Sequence, residues 1–286
     1  MQTNSLLRLA LVALLSLVPL AARSEPVAVL HREGVVHGFL ALGTTDGKKL
    51  ADGDLIQTTN GSAVTSRLVF RFFDGSLQDE TVVFTQQGAF RFVSDHLVQK
   101  GPAFPQPMDV SVDGKSGVVT VHYAEGGEDK VIEEHMDLPA DLSNGMILTL
   151  LKNIRPDAPL TTVSMVVAAP KPRLVKLAIS PSGTSPFSLG RASRKAIRYV
   201  VKIELGGVAG VVAPLVGKQP PDSYVWILPG KAPAFVRSEN PLYNGGPPLR
   251  IDLTPGVAAG ADPRWAGPNA VNPSPAPRLR RGLPSA

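Results

Sequence analysis

The chain contains no cysteine, which excludes a disulfide framework, a thiol nucleophile and any cysteine-held metal. Its fold must be held by burial and hydrogen bonding alone, which about 200 or more ordered residues can sustain. Aromatic residues are scarce, at 6% with two tryptophans. The chain has no GxSxG elbow, HExxH pair, phosphate loop or GxGxxG, so the usual nucleophile, zinc and nucleotide signatures are missing. The glycines of GGVAG (Gly206–Gly210) follow a strand, but their spacing is wrong for a phosphate-binding turn. Nothing here names a reaction or a cofactor, and the expectation is that the protein is not an enzyme.

A basic body is also lacking, although the formal net charge is +5. Arg8 and Arg23 lie in the first 24 residues, which hold no acid. From Val257 onward, Arg264, Arg278, Arg280 and Arg281 face only Asp262. Glu25–Gly256 is therefore close to neutral, and a phosphate-binding face for nucleic acid is not expected on it. The weaker reading of the charge is a basic tail touching an anionic envelope surface.

Of what is present, the N-terminus is the plainest. Arg8 precedes an apolar run from Leu9 to Ala21, with Ala22 and Ser24 as the small residues before a cut between Ser24 and Glu25. This reads as a cleavable secretory signal, so residues 1–24 are assigned to it and the mature protein to the periplasm or the medium. Beyond it, no apolar run reaches the ~20 residues that a spanning helix needs, and no integral membrane span is expected in the mature chain. Residues 25–256 read as a single β-rich domain, and 257–286 as a disordered tail of Pro, Ala and Arg.

Within the domain, strand-like runs alternate with turn dipeptides. Val27–His31 and Val35–Leu42 flank Glu33-Gly34, and Asp54–Thr59 precedes Asn60-Gly61, a strong hairpin signal. In VTSRLVFRFF, Leu68, Phe70 and Phe72 share one face; Asp74-Gly75, Gln87-Gly88, Asp113-Gly114 and Gly126-Gly127 mark further turns. One stretch breaks the pattern: Leu142, Met146, Ile147, Leu150, Leu151 and Ile154 follow helical spacing, which predicts a helix over Asp141–Asn153 capped by Asp141 and stopped at Pro156. Strands then return at Thr161–Ala168, Arg173–Ser180, Arg194–Leu205, Tyr224–Leu228, Ala234–Ser238 and Leu249–Leu253, about thirteen in all. SPSGTSP (Ser180–Pro186) reads as a turn. Leu205–Gly217 carries no charge and predicts a short apolar lid helix around Val208–Val216. The fold class is thus mainly β: an antiparallel curved sheet or half-open β-barrel with one covering helix and a lid.

Two constellations hold residue types that could carry chemistry. Glu133, His135 and Asp137 project from one strand face at period two, loose spacing for a metal, with His122 placed across the hairpin opposite Val131 or Ile132. Ser182 and Ser185 lie in SPSGTSP with nothing to single them out as nucleophiles.

The phrases FRFFDGSLQDE, KGPAFPQP, DLPADLSNGM, APKPRLVKL and GGVAGVVAPLVGKQPPDSYVWILPG span nearly all of Pro26–Leu253. On them the chain resembles a group of uncharacterised exported bacterial proteins. More loosely, many strands, one helix after an LP-D segment and further strands make an order similar to the half-open β-barrel of outer-membrane lipoprotein carriers. That resemblance implies an unclosed barrel with an apolar concave face and a helical plug.

The leading functional expectation is a binding module for a lipid or a lipoprotein acyl chain, with Leu142, Met146, Leu150, Val208, Val211, Val212 and Leu215 as its lining. A structural or assembly role with an envelope protein partner is the alternative. A hydrolase or metal enzyme around His135 is the third.

Overall fold

The computed structural model describes residues 25–158, 160–169, 171–189, 192–204 and 220–254. The expected signal segment, the expected lid with Val208, Val211, Val212 and Leu215, and the expected tail lie outside the described residues.

The turn signals divide the first half into eight strands: β1 Val36–Thr44, β2 Lys49–Asn60, β3 Ala63–Phe72, β4 Leu77–Gln87, β5 Ala89–Lys100, β6 Met108–Asp113, β7 Val118–Glu125 and β8 Glu128–His135. Gly126 and Gly127, at φ 64° and 85°, form the two-residue turn between β7 and β8 that only residues tolerant of positive φ can make. After a connecting segment come β9 Thr161–Ala169, β10 Lys171–Leu189, β11 Ala192–Glu204, β12 Ser223–Leu228, β13 Ala234–Asn240 and β14 Leu249–Thr254. Each half is an antiparallel meander, and β1 pairs with β14 to join them into one sheet of fourteen strands ordered β8 to β1, then β14 to β9. The half-barrel expectation holds, with one strand more than the sequence counts.

Val27–His31, expected as a strand, is reduced to an isolated bridge between Ala28 and Ala89. SPSGTSP is not a turn either. It runs inside β10, where the register slips between Pro181 and Thr184, and Arg198 from β11 fills the bulge with hydrogen bonds to the hydroxyl and carbonyl of Ser182.

Curvature follows from the apolar face. Phe70 and Phe84 are completely buried, with Leu42, Val64, Tyr199 and Ile179 in the same cluster. Each such phenylalanine contributes ~1.5–3 kcal/mol relative to exposure, and a sheet this wide buries so many apolar residues on one side only by rolling up. The roll overlaps instead of closing. Val163 of β9 belongs to the main core, while Val166 on its opposite face joins a second cluster with Val110, Val112, Val119 and Val121 of β6 and β7. An ion pair between Lys171 and Glu134, 3.4 Å long, spans the seam.

The two sheet edges are protected differently. On β8, four of the eight residues, Glu128, Asp129, Glu133 and Glu134, are acidic, which discourages pairing with another chain. On β9 the edge is covered by the connecting segment: Ser143 N–H donates to Ser164 O (2.9 Å) and Ser164 N–H to Asp141 O (3.2 Å), while the Asn144 amide exchanges two hydrogen bonds with Val166.

That use of the segment explains why the predicted thirteen-residue helix is not there. The observed helix, α1, is Ile147–Leu151 only, with Met146 at its N-cap. Asp141–Asn144 is drawn out along β9, and Gly145 turns the chain at φ 63°. A Cβ at Gly145 would come within 2.8 Å of Val82 Cβ. Gly145→Ala combines left-handed strain with overpacking, so it is expected to cost about 2–4 kcal/mol in urea unfolding.

Asp141 consequently caps nothing. Its carboxylate accepts from the Ser164 hydroxyl at 3.0 Å and from Lys176 Nζ at 3.1 Å, and Lys176 also donates to Ser164 Oγ at 2.7 Å.

Candidate functional site

Of the sequence-predicted lining, the three described residues do not form one surface. Met146 at the N-cap of α1 and Leu150 within it are buried in the main core, whereas Leu142 sits in the second cluster at the seam. Glu133 and His135 lie on the exposed face of β8. His122 pairs opposite Val131 as the hairpin register requires, and among the described residues no three acids or histidines converge. The Asp141–Ser164–Lys176 cluster contains the residue types of a serine–lysine dyad, but Ser164 has no exposed surface and its proton is already committed to Asp141. It fastens the connecting segment to β9 and β10. The recess on the rim between Leu42, Lys49 and Arg250 encloses about 10 Å³, room for no more than one water.

The concave face of β2–β5 is different. Cross-strand register aligns Leu55, Leu68, Glu80 and Leu97 as one continuous rung. All four are half-buried. The rung on one side (Gly53, Phe70, Gln78, Gln99) is buried, and so are Gln57, Val82, Asp95 and Val112 on the other, with Ser66 half-buried among them. Leu55, Leu68 and Leu97 thus keep part of their apolar surface exposed on the concave face, around the carboxyl of Glu80.

The concave face is also not simply apolar. Gln78 and Gln99 bond to each other, and Gln99 reaches the Leu242 carbonyl. Gln57 and Gln86 hold the entering chain at Glu33 and Gly34. Asn153 binds the N–H groups of Leu30 and His31, and Lys152 pairs with Glu33 at 2.6 Å. Buried polar groups of a folded protein are expected to be satisfied in this way.

Asp95, beside the half-buried Glu80, breaks the rule. Asp95 is 5% exposed and its Oδ1 has no hydrogen-bond partner; no ion pair involving either acid occurs among the described residues. Burial pushes the Glu80 carboxyl up to about 7. Burial, and then the neighbouring Glu80 charge, raise Asp95 well above the usual carboxylate range. Asp95 Oδ1 lies against Gly145, 3.3 Å from where a Cβ would stand, so the turn that begins the plug packs over it.

Sequence reasoning missed both acids. The signal available was phase: in LQDETVVF, Glu80 lies in step with Val82 and Phe84 and therefore faces inward.

No protein-family model matches the chain, and no curated protein matches it either. Among solved structures, a β-barrel-like protein of a domain of unknown function from Brucella abortus is similar, at 10% identity over 78% of this chain and 98% of that one, with a TM-score of 0.43.

Proposed function

We propose that this is an exported, non-catalytic envelope protein, periplasmic or secreted after cleavage between Ser24 and Glu25, that binds an amphipathic ligand on the concave face of its half-barrel. The observation that carries this reading is the half-buried rung of Leu55, Leu68, Glu80 and Leu97 between buried rungs. An alkyl chain laid along the three leucines would gain about 0.8 kcal/mol per CH₂ removed from water, so a modest hollow is enough for measurable affinity. The lining is moved from Leu142, Met146 and Leu150, which are packed core, to this rung.

The test is extraction of small molecules from full-length protein purified from membranes of the expressing cell, analysed by mass spectrometry. A single class of amphiphile near one equivalent is expected, and Leu68→Trp, which fills the hollow, is expected to remove it. Protein that carries no amphiphile and takes none up after delipidation would refute the reading.

A further inference from the structure

The walls of the hollow say that the ligand has a chain; the two acids say what its head must be. Every buried amide named above finds a partner within the protein, and Asp141 finds Ser164 and Lys176. Asp95 Oδ1, on the same concave face and one rung from Glu80, finds none. A buried oxygen acceptor without a donor is costly, and the cost is relieved when something brings one in. Among the described residues no Lys, Arg or His forms an ion pair with either acid: Glu80 is faced by Leu68 across β3 and Leu97 across β5, and Asp95 by Val82 across β4, Val112 across β6 and Gly145 of the plug.

Resting on the binding function proposed above, we infer that the hollow takes an amphiphile with a protonated primary amine for a head, its ammonium lodged between Glu80 and Asp95 and its chain along Leu55, Leu68 and Leu97. An ammonium presents three donors and a positive charge, matching two acids that hold four acceptor oxygens and no cation. A carboxylate or phosphate head would bring negative charge against two acids that already disfavour each other's ionisation, whereas an ammonium favours it. The site thus selects against fatty acids by charge while accepting their chains by shape.

The experiment is calorimetric titration of delipidated full-length protein at pH 7 with three probes below their aggregation limits: dodecylamine, dodecanoate and dodecanol. Dodecylamine is expected to bind one to one and at least about thirtyfold more tightly than dodecanoate, the lower bound for losing a partner from a buried charge pair. Glu80→Gln and Asp95→Asn are each expected to weaken dodecylamine by a similar factor and to leave dodecanol unchanged, while Leu68→Trp weakens all three. Dodecanoate or dodecanol binding as tightly as the amine would overturn the head-group assignment and leave the binding function standing. Failure of all three to bind would overturn both.

Discussion

Glu80→Gln is expected to make the protein more stable above pH 7 and to leave it unchanged at pH 4. Burial raises the Glu80 carboxyl from its ordinary 4.5 to about 7 in the folded state. An acid whose folded value is raised favours folding while it stays protonated, and that advantage is lost as pH climbs from the unfolded value through the folded one. The window is therefore pH 4.5 to 7. Its span corresponds to up to about 3 kcal/mol at 1.36 kcal/mol per unit, and because Glu80 is only half-buried the measured figure should fall below that.

Acids shifted the other way do not interfere in this window. Asp79 is held low chiefly by its hydrogen bond from Arg67, and Asp113 by the backbone N–H groups of Ser116 and Lys115. Their contribution is lost only as pH falls below the ordinary carboxylate range. The measurement is urea unfolding of wild type and variant at pH 4, 5, 6, 7 and 8. A difference that grows from zero and levels off near pH 8 is the expected result; a difference that stays flat across the series would show that Glu80 is solvated and that the hollow is open water.

Lys152→Met is expected to be the most damaging single change outside the apolar core, at about 3–5 kcal/mol, a fall in Tm on the order of 10 °C for a domain of this size. Lys152 at the end of the connecting segment and Glu33 in the entering chain are both largely buried, and their pair is 2.6 Å long. Removing the ammonium leaves the Glu33 carboxylate with only the Gln57 amide. Adding Glu33→Gln to Lys152→Met should recover most of the loss, since a neutral amide can still meet Gln57 and no charge is stranded. A double variant as unstable as the single one would show that Lys152 acts through packing of its stem and not through the charge pair.

Both predictions concern polar groups inside a sheet that the sequence marks mainly by its apolar positions. Leu68, Phe70 and Phe72 alternate cleanly, and the register puts them on the concave face as period two requires. The turns at Asn60-Gly61 and Gly126-Gly127 are equally legible, because few residues adopt their backbone conformation.

Asp95 was hidden by a bulge. Phe90 and Phe92 are in step, and continuing that step would put Ser94 and His96 inside. Instead the register slips between Val83 and Phe84, leaving Val93 as the extra residue, and Asp95 turns inward. The helix was misread for a non-local reason: Leu142, Met146 and Leu150 have helical spacing, but Asp141–Asn144 gains more by satisfying the open edge of β9, which no local pattern announces. Leu142 is consequently parted from Met146 and Leu150, and a lining expected to be continuous is divided between two clusters.

The most direct test of the account is the titration of the Glu80 carboxyl carbon by NMR in delipidated protein, alone and saturated with dodecylamine. The account predicts a midpoint near 7 for the free protein and a clear downward displacement once an ammonium sits beside it. A free-state midpoint at the ordinary 4.5, unmoved by the amine, would contradict it.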